Sequence, residues 1–68
     1  MENGHVKMWD TSKGFGFIVT DEGDELFVNA NDLHPSVTIK RLIEGQKVRF
    51  DVRSDFKGER AVNVRIVR

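Results

Sequence analysis

The sequence predicts an all-β fold, a small closed barrel of five antiparallel strands in Greek-key order, and three observations carry that expectation. Five segments alternate apolar and polar residues with the period of two that half-buried strands require. Clusters of Gly, Asp, Asn and Ser separate them, as turns demand. The chain has 68 residues, room for one domain over residues 1–68 and no second. Closing so small a sheet removes the exposed edges that invite aggregation.

The first strand is expected over about His5 to Thr11 and the second over Gly14 to Thr20, joined by the short connection Asp10-Thr11-Ser12-Lys13. The third, Glu25 to Asn29, follows the turn Asp21-Glu22-Gly23-Asp24. The fourth, Lys47 to Arg53, alternates Val48, Phe50 and Val52 with charged residues and is the clearest one-face-buried pattern in the chain. The fifth, Arg60 to Val67, places Val62, Val64 and Ile66 inward. Between the last two lies Ser54-Asp55-Phe56-Lys57-Gly58-Glu59, a loop whose Lys57-Gly58 pair suits a positive φ. The connection from Asn31 to Gln46 is irregular: His34-Pro35 disfavours helix, and one short helical turn at most is expected there.

Composition narrows the function. Eleven Lys and Arg balance eleven Asp and Glu, so the whole-molecule field does not attract a polyanion and any nucleic-acid site has to be a local patch. The chain has no cysteine, which leaves the core to hydrophobic packing alone and fits a reducing compartment. Apolar runs are three residues or fewer, too short for a signal-peptide core or a membrane span. A domain of this size buries only roughly 60% of its unfolded surface and has little room for an enzyme pocket. The initial Met1 fits a complete small protein.

Chemistry concentrates in Lys13-Gly14-Phe15-Gly16-Phe17-Ile18 and, after a turn, Leu26-Phe27-Val28-Asn29, which hold three of the five phenylalanines. Two alternating aromatics on an arbitrary strand usually belong to a core. The third strand argues otherwise: Leu26 and Val28 share one face, while Glu25, Phe27 and Asn29 share the other, which reads as the wet one. Turning Ile18 inward with Gly14 and Gly16 puts Phe15 and Phe17 beside Phe27 on the same outer surface. Exposed apolar patches mark binding sites, and a nucleobase stacks on an aromatic ring whatever its identity while nearby lysines follow the phosphates. Lys7 and Lys13 flank the rings.

These two segments resemble the first and second ribonucleoprotein motifs of the bacterial cold shock proteins. The resemblance extends along nearly the whole chain: Gly4-His5-Val6-Lys7 resembles the family's start, Glu44 to Phe50 its approach to the fourth strand, and Lys57-Gly58 with Ala61-Val62-Asn63-Val64 its close. It implies an oligonucleotide-binding (OB-fold) barrel, a cold shock domain, that binds single-stranded RNA and single-stranded DNA, often as an RNA chaperone in the cytoplasm. Lys57 matches a basic position near the family's binding edge.

The chain also departs from the family. Where the family has Lys-Trp-Phe-Asn, this sequence has Lys7-Met8-Trp9-Asp10, and a shift of one residue normally moves a side chain to the other face of a strand, leaving Met8 in the exposed place. The family's Phe-Val-His-Phe becomes Phe27-Val28-Asn29-Ala30, which removes two rings, and the aromatic of the long connection gives way to Val37, Thr38 and Ile39. Three lost platforms at even 1 kcal/mol each weaken binding about a hundredfold. Asn29 offers amide hydrogen bonds to a base edge in exchange. Phe56, beside Lys57, is expected mainly to cover an end of the barrel, the alternative being a substitute ring on the rim.

No enzyme, cofactor or metal is expected. His5 and His34 lie in different segments without metal-ligand spacing, and Asp21 to Glu25 lacks the ligand pattern of a calcium loop. Gly14-Phe15-Gly16 lies inside a strand with no helix after it, which excludes a dinucleotide fingerprint. The expectation is therefore a binding protein with no small-molecule substrate and no membrane contact. Phe15, Phe17 and Phe27 stack bases, Lys7 and Lys13 neutralise phosphates, and Trp9, Asn29 and Lys57 add peripheral contacts. A monomer is expected, and the long connection also permits a strand-exchanged dimer. The competing reading is a protein-interaction or dimerisation module that has kept the fold and lost its affinity for nucleic acid.

Overall fold

The strand boundaries follow from which residues find a partner across the barrel. The computed structural model describes residues 1–67, with β1 at Glu2–Asp10, β2 at Phe15–Thr20, β3 at Glu25–Asn29, β4 at Lys47–Asp55 and β5 at Gly58–Ile66. One 3₁₀ turn, Ala30–Asp32, follows β3. The strands close into a barrel in the order β1-β2-β3-β5-β4. Four seams are antiparallel; the seam between β3 and β5 is a parallel bridge from Phe27 to Arg60, extended by a second bridge from Leu33 to Val64. Among the described residues, no helix is long and apolar enough to cross a membrane.

The core is Val6, Ile18, Leu26, Val28, Val48, Phe50, Ala61 and Val64 from the strands, with Leu33, Val37 and Leu42 from the long connection closing the barrel. β1 starts three residues earlier than its apolar alternation predicts. Its first residues pair with β4, from Glu2 opposite Phe50 to His5 opposite Lys47, and the inward position among them is Gly4, which leaves no apolar signal. A side chain at Gly4 would collide with the carbonyl oxygen of Val19.

Two bulges change which residues face inward. In β1, Val6 pairs with Ile18 but Met8 pairs with Phe17, so Lys7 is an extra residue and the strand changes phase there. In β5 the extra residue is Asn63, held at φ 52, a conformation asparagine tolerates better than most residues, with its amide donating to Asp51 at 3.2 Å. This corrects the expected inward set. Ala61 and Val64 both face the core across the bulge, while Val62 pairs with Asp51 and is only half-buried.

The fourth and fifth strands also run further than predicted. Asp55 pairs with Gly58, leaving a tight tip at Phe56 and Lys57 in place of a six-residue loop. Asp at the first position of the turn and Gly at the fourth suit a type I turn, with Gly58 at φ 115 and the Asp55 carboxylate accepting from the Lys57 amide at 2.9 Å. Apolar alternation is no guide here, because the hairpin arm is exposed on both faces beyond the barrel wall.

Phe50 is the largest fully buried side chain. Its truncation to alanine costs about 3–5 kcal/mol, against a total of roughly 0.05–0.15 kcal/mol per residue. Phe50→Ala is therefore expected to lack a cooperative urea transition at 25 °C, whereas Phe50→Leu keeps one at lower midpoint; a cooperative transition in the alanine variant near the parent midpoint contradicts this packing.

Candidate nucleic-acid interface

The outer surface of β1, β2 and β3 is set by what those strands bury. Gly16, Ile18 and Thr20 face inward on β2, so Phe15, Phe17 and Val19 face out. Leu26 and Val28 face inward on β3, so Glu25, Phe27 and Asn29 face out. Cross-strand pairing then draws a row from Met8 through Phe17 and Phe27 to Arg60, and a second row from Asp10 through Phe15 to Asn29. The ring of Phe27 stacks on Phe15 with centroids 5.7 Å apart and meets Phe17 edge-on at 5.9 Å, both favourable aromatic geometries. The three rings form one patch on the predicted face. They are half-buried rather than exposed, because each shields its neighbour.

Trp9 is not on that face. Beyond the bulge it pairs with Gly16, lies against the core residues and is half-buried, with its indole N–H buried and unpaired among the described residues. A side chain at Gly16 would collide with the Met8 carbonyl oxygen and approach Cε3 of Trp9 to 2.9 Å, so the indole occupies the space that glycine leaves open. Met8 stands opposite Phe17 instead, on the outside.

The lysines differ in their availability. Lys7 projects outward at the bulge and its Nζ lies 2.8 Å from Glu25 Oε2, both side chains about half exposed. Such a pair contributes about 0.2–1 kcal/mol and is readily displaced. Among the described residues Lys13 and Lys57 make no salt bridge. Lys13 is held near the rings by its turn: the Asp10 carboxylate accepts from the Ser12 hydroxyl at 2.7 Å and the Lys13 amide at 3.1 Å, and Gly14 takes φ 72. The amide orientation of Asn29 is set by its neighbour. Its Oδ1 accepts from the Asn31 N–H at 3.0 Å and caps the 3₁₀ turn, which leaves the NH₂ group as the donor it can offer a base.

A cleft of about 570 Å³ opens beside the rings. Phe17, Phe27 and Asn29 form its floor, and Asp55 with Lys57 to Arg60, on the arm of the β4–β5 hairpin, form its wall. Arg60 ties that wall down. Its guanidinium pairs with Asp32 and lies 3.8 Å from Asp55, and the hydrogen bond to Asp32, with the attraction of its charge, raises the Arg60 pKa still further. The role of Arg60 escaped sequence reading because its partner stands 28 residues away. Phe56, expected to cover an end of the barrel, covers nothing: it is fully exposed at the hairpin tip. Of Val37, Thr38 and Ile39, expected to replace an aromatic in the long connection, Val37 is buried in the core and Ile39 is exposed.

Comparison with known proteins agrees with this architecture. The family model described as 'Cold-shock' DNA-binding domain matches residues 2–67. The chain is 47% identical to Cold shock protein CspC of Bacillus subtilis over 64 residues, 94% of this chain and 96% of that protein. It is 44% identical to the Major cold shock protein of Streptococcus pyogenes serotype M6, with 94% of each covered, and 41% identical to the Cold shock-like protein of Thermotoga maritima, with 94% of this chain and 96% of that one covered.

The turn that presents Lys13 is sensitive to acid. The Ser12 hydroxyl, then the Lys13 amide, hold the Asp10 carboxyl below the usual carboxylate range. A pKa depressed by folding contributes stability that is complete above the unfolded value and is lost as pH falls through the folded one. The difference in urea midpoint between the parent and Asp10→Ala is therefore expected to be constant from pH 7 to pH 5 and to shrink below about pH 4. A difference that persists unchanged to pH 2 contradicts the assignment.

Proposed function

The chain belongs to the 'cold-shock' DNA-binding domain family, and from that premise we propose that it binds single-stranded RNA and single-stranded DNA and acts in the cytoplasm as an RNA chaperone, by binding and not by catalysis. The observation that carries this reading is the trio Phe15, Phe17 and Phe27, packed ring on ring along the outer surface of two adjacent strands. Half-buried rings with fixed orientation are pre-ordered platforms, so little side-chain entropy is lost when bases stack on them. Lys57 lines the cleft beside the patch and Lys13, in the turn before Phe15, is exposed, so both are free to meet phosphates, and Lys7 joins them once a phosphate displaces Glu25. Asn29 donates to an acceptor on a base edge from the cleft floor. A protein that binds the unstacked single strand draws RNA out of its paired states through that difference in affinity alone.

Affinity is modest on this reading. Met8 takes the outward position beside Phe17, and Ala30 and Val37 supply no ring. The first test is fluorescence anisotropy of a labelled oligothymidine of about seven bases at two salt concentrations. Saturable binding is expected, competed by single strands and not by duplex, with Phe27→Ala losing about fivefold to a hundredfold in affinity. The double substitution Met8→Trp with Trp9→Phe, which puts the one indole on the outer face, is expected to tighten binding by a similar factor and to make its fluorescence respond to the oligonucleotide. No binding by the folded parent at high concentration overturns the reading in favour of a protein-contact surface.

Lys7→Gln gives a second check. Removing one phosphate contact is expected to make the slope of log affinity against log salt shallower by about 0.7. An unchanged slope removes Lys7 from the phosphate track.

A further inference from the structure

We propose that Phe56 is an additional base-stacking platform, which extends the nucleic-acid track from the aromatic floor over the tip of the β4–β5 hairpin; this rests on the single-strand-binding reading above. Turn positions favour Gly, Pro, Asn, Asp and Ser, and a phenyl ring at the tip of a tight hairpin contributes nothing to the turn itself. Phe56 makes no compensating contact in the fold, because it is fully exposed. A lone exposed apolar side chain is ordinary on a protein surface. This one has a particular setting. Its neighbours on both sides, Asp55 and Lys57, line the cleft whose floor is Phe17, Phe27 and Asn29.

The hairpin arm is also anchored at its base. Arg60 pairs with Asp32 on the 3₁₀ turn and lies 3.8 Å from Asp55 on the facing strand, so the wall stays beside the floor. A single strand whose bases lie on Phe15, Phe17 and Phe27 and whose backbone leaves across that wall meets Lys57 at the tip, with Phe56 next to it. Lysine and an adjacent free ring are the pair that a phosphate and its base recognise. The acidic side chains Asp55 and Glu59 on the same wall oppose a phosphate path along the arm, which favours crossing at the tip. One ring is thereby restored where Ala30 and Val37 supply none.

The test compares Phe56→Ala and Phe27→Ala on oligothymidines of about three and about seven bases. Phe56→Ala is expected to unfold at the same urea midpoint as the parent, to bind the short oligomer equally well, and to bind the long one about fivefold to a hundredfold more weakly, the range for one lost stack. Phe56→Trp in a Trp9→Phe background is expected to keep the long-oligomer affinity and to show indole quenching on binding. Parental affinity of Phe56→Ala for the long oligomer, while Phe27→Ala loses binding, overturns this proposal and leaves the broader reading intact. Loss of binding to both oligomers in equal measure also overturns it, since Phe56 then acts on the floor itself. Failure of the parent to bind either oligomer overturns both.

Discussion

At Gly16 the second strand passes so close to the first that a methyl group would overlap the Met8 carbonyl oxygen and come within 2.9 Å of the Trp9 ring, and the layout of the outer face follows from that approach. Because Gly16 is inward and buried between Phe15 and Phe17, both rings have to stand outside. Because the indole of Trp9 fills the space over Gly16, the first strand has to change phase before it, and the bulge at Lys7 supplies the change. Lys7 and Met8 then both lie on the ring side, and the core loses no continuity. One close backbone contact thus sorts five side chains between the interior and the outer face.

The same face shows how a small barrel can hold apolar rings at its surface. Phe27 sits between Phe15 and Phe17, stacked on one and edge-on to the other, so the patch is partly satisfied by its own packing. Charge is distributed economically around it. Equal numbers of acids and bases leave no net charge, Lys7 is neutralised locally by Glu25, and Arg60 is occupied in holding the cleft wall through Asp32. The proposed track therefore relies on stacking first and on a few lysines second, a balance that suits tolerance of base identity and quick release.

The strand pattern was legible wherever alternation is driven by burial. β3 matches its predicted span, the outward face of Phe15, Phe17 and Phe27 follows from the residues on the opposite face, and the inward side of β4 follows from the Val48–Phe50 alternation. What escaped are features that alternation does not encode. Gly4 is an inward position without a side chain, Asn63 resets β5 through a positive φ, and the hairpin arm beyond Arg53 is polar on both sides. At the site, the Lys7–Glu25 and Arg60–Asp32 pairs join residues 18 and 28 positions apart. Their signal was present only in part: Glu25 shares the face of Phe27, and Asp55 and Gly58 mark a tight turn with Phe56 and Lys57 at its tip.

Nucleic acid is proposed to lie on the outer surface of β1 to β3 and against the hairpin wall. Titration of ¹⁵N-labelled protein with an oligothymidine, followed by amide chemical shifts, tests it most directly. Perturbations are predicted at Met8, Lys13, Phe15, Phe17, Phe27, Asn29 and the tip around Lys57, with Val48 and Leu42 unmoved. Perturbations centred instead on the exposed Ile39 and Ile43 of the long connection would contradict the account.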